Sequence, residues 1–277
     1  MEYRKEILTT THVDAHNEKM SLSALKALVK ESNKKIIPII VEHDPRQPPI
    51  GRIISTQILQ LEDGEYALEG TFGIYENEDD FKLPLDDKRE MIIDEHKFNS
   101  LSIMYDRSYE NPEDQTLIYE LNTLIKSDFE PQYYIKKSIE PISVLTLIGG
   151  FIFGQVASGF FNQVGSDSWN TFKEQVKKIF HKNKNGENEK LLSFEFTIEK
   201  DENKVNVIIN LTNPKDEDIE SFLENGLKMI DSLPCQYFKP ELGLKKIVME
   251  YSANSLNINF GVRKDAIPVD LKKIRLS

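Results

Sequence analysis

The segment IIPIIVEHDPRQPPIGR, residues 36–52, decides the fold expected for the first half of the chain. Its first six residues are β-branched apart from Pro38; such a run is too short for an independent helix and typical of a buried strand. Proline lacks a backbone donor, so Pro38 favours a sheet edge or the first residues of the strand. His43 follows at the strand end, and the prolines after it restrict the loop. A histidine held in this way suits a general base, and a turn-capping or core-edge role is the alternative.

Regular elements are predicted on both sides of this segment. Residues 51–61 and 65–75 have strand character and flank Asp63 and Gly64, a dipeptide typical of tight hairpin turns because it tolerates positive φ. Residues 21–30 place leucine and valine side chains on one face of a helix, with a serine at its start as a cap. We therefore expect a strand-rich amino-terminal unit with a peripheral helix.

The segment FNSLSIMY, residues 98–105, alternates as a strand does. One face carries Leu101, Ile103 and Tyr105, and the other carries Ser100, Ser102 and Met104. The apolar face is expected to attach the strand to a core, while the opposite face presents two hydroxyl groups. Residues 133–147 predict another strand.

Residues 141–170 carry a single charged side chain, Asp167, and centre on LTLIGGFIFGQVASGFF, residues 145–161. The uncharged length approaches that of a bilayer span, and Gly150 and Gly154 form a GxxxG pair. We interpret the stretch as a buried or interfacial helix, with its first part available to the strand that closes the first domain. A membrane span is the alternative.

An amphipathic helix at residues 169–180 and a polar linker at 181–190 lead into the last part of the chain. From there, two alternating strands, one helix and two further strands follow, the order ββαββ of a small α+β domain. The predicted fold class is therefore α+β. It comprises a mainly β domain over residues 1–147, an apolar and amphipathic helical connector over 148–190, and a small domain for recognition or oligomerisation over 191–277.

The composition excludes several classes of protein. A net charge of −11 argues against a dedicated nucleic-acid binder, which needs a basic face. One cysteine, Cys235, excludes an internal disulfide and a Cys-rich zinc site. The first residues lack the apolar core of a signal peptide, so a cytoplasmic location is expected, with membrane contact through residues 145–161 as the alternative. His12 and His16 lie four residues apart without an acid at fixed spacing, a weak metal signal, so neither a metal nor another cofactor is expected.

The segment VEHDPRQPPIGRI, residues 41–53, resembles the histidine motif of phage prohead maturation proteases, serine peptidases that share a β-barrel with herpesvirus assemblin. In that family the histidine ends a strand, P-I-G begins the next strand, and a later strand carries a serine commonly followed by Ile-Gly-Phe. The segment SLSIMY is similar to this serine motif and puts Ser102 at the nucleophile position. Residues 13–14 and the helix at 21–30 resemble the family's lead-in, an aspartate before a short helix. The resemblance covers residues 8–147, about half of the chain, and implies a barrel-like peptidase domain with peripheral helices.

The resemblance also implies a catalytic set. Ser102 would be the nucleophile, His43 its base and acid, and Glu140 the third member, from a closing strand that resembles the family's E-V-S-L-V-T. Ser100 shares the face of Ser102 and is the alternative nucleophile, but the pattern S-I-x-aromatic aligns with Ser102. One alignment of the closing motif puts Glu140 a residue out of register, which would turn its side chain to the other face. Met104 stands where the family usually has glycine.

Two functions are therefore expected alternatives. The first is a serine endopeptidase acting on a protein substrate in a bacterial cell or mobile element, in a phage-response or antiviral-defence setting. In this case residues 191–277 would self-associate or bind a partner protein. The second is a catalytically inactive, protease-like binding or assembly module that contacts a membrane through residues 141–180. Met104 and the continuation of the closing strand into LIGGFIFG depart from the family and are consistent with the second.

Overall fold

The computed structural model describes residues 1–13, 19–41, 44–76, 88–93, 100–133, 142–182 and 189–273. The strands are β1 Glu2–Thr10, β2 Pro38–Ile39, β3 Gly51–Gln60, β4 Tyr66–Ile74, β5 Leu101–Tyr105, β6 Gln132–Tyr133, β7 Ile142–Ile152, β8 Glu189–Lys200, β9 Asn203–Thr212, β10 Leu244–Ser252, β11 Ser255–Arg263 and β12 Pro268–Val269. The helices are α1 Leu22–Ser32, α2 Pro112–Leu124, α3 Val156–Val164, α4 Trp169–Lys182, α5 Asp216–Ser221 and α6 Leu227–Asp231. A π-helical turn, Phe222–Gly226, joins α5 to α6. The predicted mixture of helix and strand is confirmed.

The chain divides into two compact units. The first comprises Met1–Ile92 with Val262–Val269, and the second comprises Ile93–Gly261 with Asp270–Ser277. The boundaries predicted after residues 147 and 190 do not coincide with this division, because they fall within strands β7 and β8. Strand β7 pairs with β5 on one side and with β8 on the other, so the elements on both sides of these boundaries share one sheet.

The first unit contains a curled four-stranded sheet of order β1-β4-β3-β2. The predicted hairpin is present as β3 and β4, and Gly64 in its turn has φ 86°. The predicted helix is α1, where Ser21 Oγ accepts a hydrogen bond from Ala24 N at 3.2 Å. This hydroxyl satisfies a donor that the first helical turn leaves unpaired.

The segment after α1 departs from its prediction in one respect. Only Pro38–Ile39 pairs as a strand, at the edge of the sheet, and both residues are half-buried. The expected burial is therefore wrong for these residues, whereas the edge position that Pro38 favours is confirmed. An edge strand has a neighbour on one side only, and the position of Pro38 there agrees with its missing donor.

The second unit contains most of an eight-stranded sheet of order β12-β11-β10-β9-β8-β7-β5-β6; β12 and the last two residues of β11 are assigned to the first unit. The predicted order ββαββ is present as β8, β9, the helical segment α5 to α6, β10 and β11. These strands do not form a separate small domain, because β8 pairs in parallel with β7 over the whole length of β7.

The core of the second unit lies between one face of this sheet and its helices. Phe194 and Phe196 of β8 are fully buried, and both rings lie about 6 Å from that of Phe160 in α3. Phe194 also contacts Phe222 of the π-helical turn, with ring centroids 4.5 Å apart. Each such ring buries a large apolar area, so the cluster contributes strongly to the stability of this core.

The apolar stretch at residues 145–161 is a strand followed by a short helix: its first part belongs to β7, the strand alternative, and only its last part is helical, in α3. Strand β7 lies between β5 and β8 and is buried on both faces, which removes the polar alternation that usually reveals a strand. Gly149 allows the close approach of β5, since a Cβ there would lie 2.9 Å from Leu101 Cδ2. In the described ranges, none of the helices has both the length and the apolar character needed to cross a membrane.

Candidate functional site

Ser102 is the second residue of β5 and lies directly opposite Ile148 of β7. Its neighbours Leu101 and Ile103 are fully buried on the other face, whereas Ser102 is half-buried. The predicted alternation is therefore present. Among the described residues, none forms a hydrogen bond with Ser102 Oγ, so the hydroxyl is available for another partner.

Ser100, the alternative nucleophile, is less accessible than Ser102. It precedes β5 and is only 8% exposed. A nucleophile must reach a substrate carbonyl, so exposure favours Ser102 over Ser100.

The sheet face that carries Ser102 continues as a buried polar surface. Strand pairing puts Thr146 of β7 opposite Ser193 of β8, and Ser193 opposite Asn210 of β9. Ser193 Oγ donates to Asn210 Oδ1 at 3.0 Å, and the next polar row pairs Thr197 with Asn206. We call this surface the polar face; its buried members are Thr146, Ser193, Thr197, Asn206 and Asn210.

Three atoms of the polar face are buried without a hydrogen-bond partner in the described part of the chain: Thr197 Oγ1, Asn206 Oδ1 and Asn210 Nδ2. Each such atom costs roughly 1–3 kcal/mol of stability. Uncompensated polar atoms of this kind concentrate where a protein binds something or stores strain. The sequence signal for this surface, which was not among the predictions, is the alternation of polar residues in β8 and β9.

His43 lies outside the described residues, but described residues on both sides of it are fixed by hydrogen bonds. Asp44 N donates to Val41 O at 3.0 Å, and the Asp44 carboxylate is buried. Arg46 clamps that carboxylate, with Nε 2.9 Å from Oδ1 and Nη2 2.8 Å from Oδ2. A bidentate pair of this kind is directional and orders the loop that follows His43.

Two of the other residues considered for the site, Glu140 and His16, lie outside the described residues, whereas His12 is described. His12 Nε2 lies 2.6 Å from Asp63 Oδ2 in an exposed pair, and this hydrogen bond is the main reason why the pKa of Asp63 is lowered. His12 therefore has a carboxylate partner at the hairpin turn.

The end of β5 is fixed by a carboxylate that the sequence analysis missed. Asp106 is buried; its Oδ2 accepts from Val144 N at 2.8 Å and its Oδ1 from Ser108 N at 2.9 Å. Tyr109 is fully buried beside it, and burial, reinforced by the charges of Asp106 and Asp114, raises the pKa of the Tyr109 hydroxyl. These contacts hold the strand of Ser102 rigidly against β7.

Arg52, within the P-I-G-R segment, is also a buried structural residue. It is 1% exposed, its Nη1 donates to the backbone oxygen of Asp265 at 3.2 Å, and its guanidinium lies 5.8 Å from the centre of the Tyr75 ring. The Tyr75 hydroxyl donates to Ala266 O at 3.3 Å. Arg52 thus joins β3 to the 262–269 segment of the same unit, which gives part of the histidine motif a structural role.

Of the predicted catalytic residues, Ser102 is the one that the structure describes. Ser102 belongs to the second unit, Val41 and Asp44 beside His43 belong to the first, and Glu140 is outside the described residues. Comparison with protein-family models, with curated proteins and with solved structures finds no match to this chain. The likeness to prohead proteases accordingly rests on the sequence motifs, and what it implies about activity is a proposal.

Proposed function

We propose that the chain is a serine endopeptidase that acts on a protein substrate. Ser102 Oγ attacks the carbonyl carbon of a peptide bond, His43 takes the hydroxyl proton and then gives it to the leaving amine, and Glu140 orients the imidazole. Water hydrolyses the resulting ester and restores the hydroxyl. The assignment of the curled sheet to a protease-like barrel is part of the proposal, as is a phage-response setting.

One observation carries the proposal on the structural side: Ser102 presents a half-buried hydroxyl without a described hydrogen-bond partner on a rigid strand. Its strand is anchored by Leu101 and Ile103 on the opposite face and by Asp106 at its end. A nucleophile held in this way loses little conformational freedom when substrate binds. The assignment of His43 as the base rests on the sequence, in which the histidine motif and the serine motif follow each other in the expected order.

A fluorophosphonate probe, which reacts with activated serine hydroxyls, tests the proposal. We expect the full chain to be labelled, the Ser102→Ala variant to be unlabelled, and the Ser100→Ala variant, as the matched control, to be labelled like the unmodified chain. Labelling that persists in Ser102→Ala, or no labelling of the unmodified chain, would contradict it.

The second candidate function is a non-catalytic assembly module, and strand β1 favours it. In the described residues, β1 pairs with β4 on one side only, and Tyr3 and Ile7 are 64% and 49% exposed. An exposed edge strand offers unpaired backbone groups to another strand. If two copies paired antiparallel with Lys5 at the centre, Arg4 of each copy would lie opposite Glu6 of the other copy.

The oligomeric state in solution tests this second candidate. A dimer of the full chain that is lost in Ile7→Lys, while the exposed control Val13→Lys keeps it, would support assembly through β1. A monomer at all concentrations would exclude it. Self-association or partner binding through residues 191–277 stays a prediction.

A further inference from the structure

A cleft of 660 Å³ opens in the second unit between α3 and the helical segment that runs from α5 through the π-helical turn to α6. Phe161 and Trp169 line one side, with ring centroids 5.2 Å apart. Leu223 and Leu227 line the other side and are buried. A partly apolar cleft of this volume is in the range that holds small organic ligands.

The π-helical turn shapes this cleft. It adds a residue to the helical turn, so Leu223, Glu224 and Asn225 as well as the residues of the next turn line the cleft. Gly226 is required there, because a Cβ would lie 2.3 Å from Phe222 Cδ2. Insertions of this kind in α-helices are frequent at functional sites.

The two acidic side chains at the cleft have close partners, whereas the lysine at the cleft does not have a carboxylate partner among the described residues. Glu224 is paired with Lys173 at 2.7 Å, and this contact is the main cause of its lowered pKa. Asp231 accepts hydrogen bonds from Val156 N at 2.7 Å and Ala157 N at 3.2 Å. By contrast, Lys228 has no carboxylate within ion-pair distance among the described residues, and its side chain is exposed at the rim.

We infer that this cleft binds a small anion with an apolar body, such as an arylalkyl carboxylate. The ring of the ligand would pack against Phe161 and Trp169, and its carboxylate would pair with Lys228. Of the two acidic residues at the cleft, Glu224 is paired with Lys173 and Asp231 accepts hydrogen bonds from the backbone at the start of α3, so neither forms an ion pair with Lys228. The site lies apart from Ser102 in the fold, so the inference does not depend on the proposed peptidase.

Trp169 is the single tryptophan of the chain, so its fluorescence reports directly on the cleft. With phenylbutyrate as the probe, we expect a saturable change of Trp169 emission in the full chain. Lys228→Gln should weaken this binding about fivefold, the factor that corresponds to roughly 1 kcal/mol for a partly exposed ion pair. Lys178→Gln, an exposed lysine of α4 outside the cleft, is the matched control and should leave the affinity unchanged.

Two further measurements distinguish the contribution of the ligand's charge to binding from the contribution of its apolar contact. The neutral amide phenylbutanamide should bind about fivefold more weakly than phenylbutyrate and be insensitive to Lys228→Gln. Phe161→Ala, which removes an exposed ring, should weaken both probes about threefold or more. A non-saturable response, an equal loss in Lys178→Gln, or tighter binding of the cation phenylbutylamine than of phenylbutyrate would overturn the inference.

Discussion

Replacing Gly51 by alanine should destabilise the first unit, for a reason visible in the β3–β4 pair. A Cβ at Gly51 would lie 2.3 Å from the carbonyl oxygen of Gly73 and 3.1 Å from Ile74 Cα, both backbone atoms. Ordinary contact begins at 3.4 Å, so 3.4 less 2.3 leaves 1.1 Å that the two strands must move apart. Gly51 also pairs with Ile39 on its other side, which limits that movement.

The magnitude follows from two opposing effects. Overpacking of this kind costs about 1–3 kcal/mol, whereas alanine stabilises by about 0.4–1 kcal/mol because it restricts the unfolded chain. The net expectation is a loss of about 1.3 kcal/mol, which lowers the midpoint of thermal unfolding by about 3–5 °C in a chain of this size. Glycine in the P-I-G motif would thus be required by strand packing, whether or not the chain is a peptidase.

Gly70→Ala is the matched control. Its Cβ would lie 3.0 Å from Leu8 Cδ1, the end of an exposed and mobile side chain, so we expect a change below about 0.5 kcal/mol. Thermal unfolding followed by circular dichroism, together with hydrogen exchange of peptides covering β3 and β4, measures both variants. Equal stability of Gly51→Ala and Gly70→Ala would refute the reasoning.

Two further perturbations test buried polar groups, one in each unit. Asp106→Ala removes the acceptor of Val144 N and Ser108 N and should lower the free energy of unfolding in urea by about 3 kcal/mol. Asp106→Asn keeps an acceptor and should lower it less. Equal losses in the two variants would contradict this role of Asp106. Burial raises the pKa of Tyr75 to about 12, so its contribution to stability is complete below pH of about 10 and is lost as the pH rises towards 12. Tyr75→Phe should therefore lose stability less steeply over this range than the unmodified chain, and parallel pH profiles would contradict the assignment.

Local patterns predicted the elements whose signals are themselves local. The hairpin of β3 and β4 follows from alternation and Gly64, and α1 follows from apolar spacing behind Ser21. The helix α4 and the hairpin of β8 and β9 were recognised for the same reason. In each case a period and a terminating residue lie within one short window.

The elements that were not predicted, or were predicted only in part, lack such a signal. Strand β1 is exposed along most of its length, so polar residues occupy both of its faces. Helix α2 buries only Asp114, Ile118 and Leu121, which is too narrow a stripe to stand out. Strand β7 was predicted only as far as residue 147; it is apolar on both faces, and only its pairing with β5 and β8 distinguishes its second half from a buried helix.

The site was predicted only in part, for a related reason. The half-exposure of Ser102 between the buried Leu101 and Ile103 follows from alternation along one strand. The polar face depends on which strands become neighbours, a non-local property that a single segment does not contain. Asp106 and Arg52 acquire their roles from partners that lie 38 and 213 residues away along the chain.

The central claim is that the His43 imidazole activates the Ser102 hydroxyl, and the pH dependence of fluorophosphonate labelling measures this most directly. If His43 is the base, the labelling rate of the full chain should rise through about pH 6–7, where an imidazole loses its proton. In His43→Ala that rise should disappear and the rate should fall by about 100-fold or more, with the fold retained by circular dichroism. Labelling of Ser102 at the same rate and with the same pH profile in both proteins would contradict the claim.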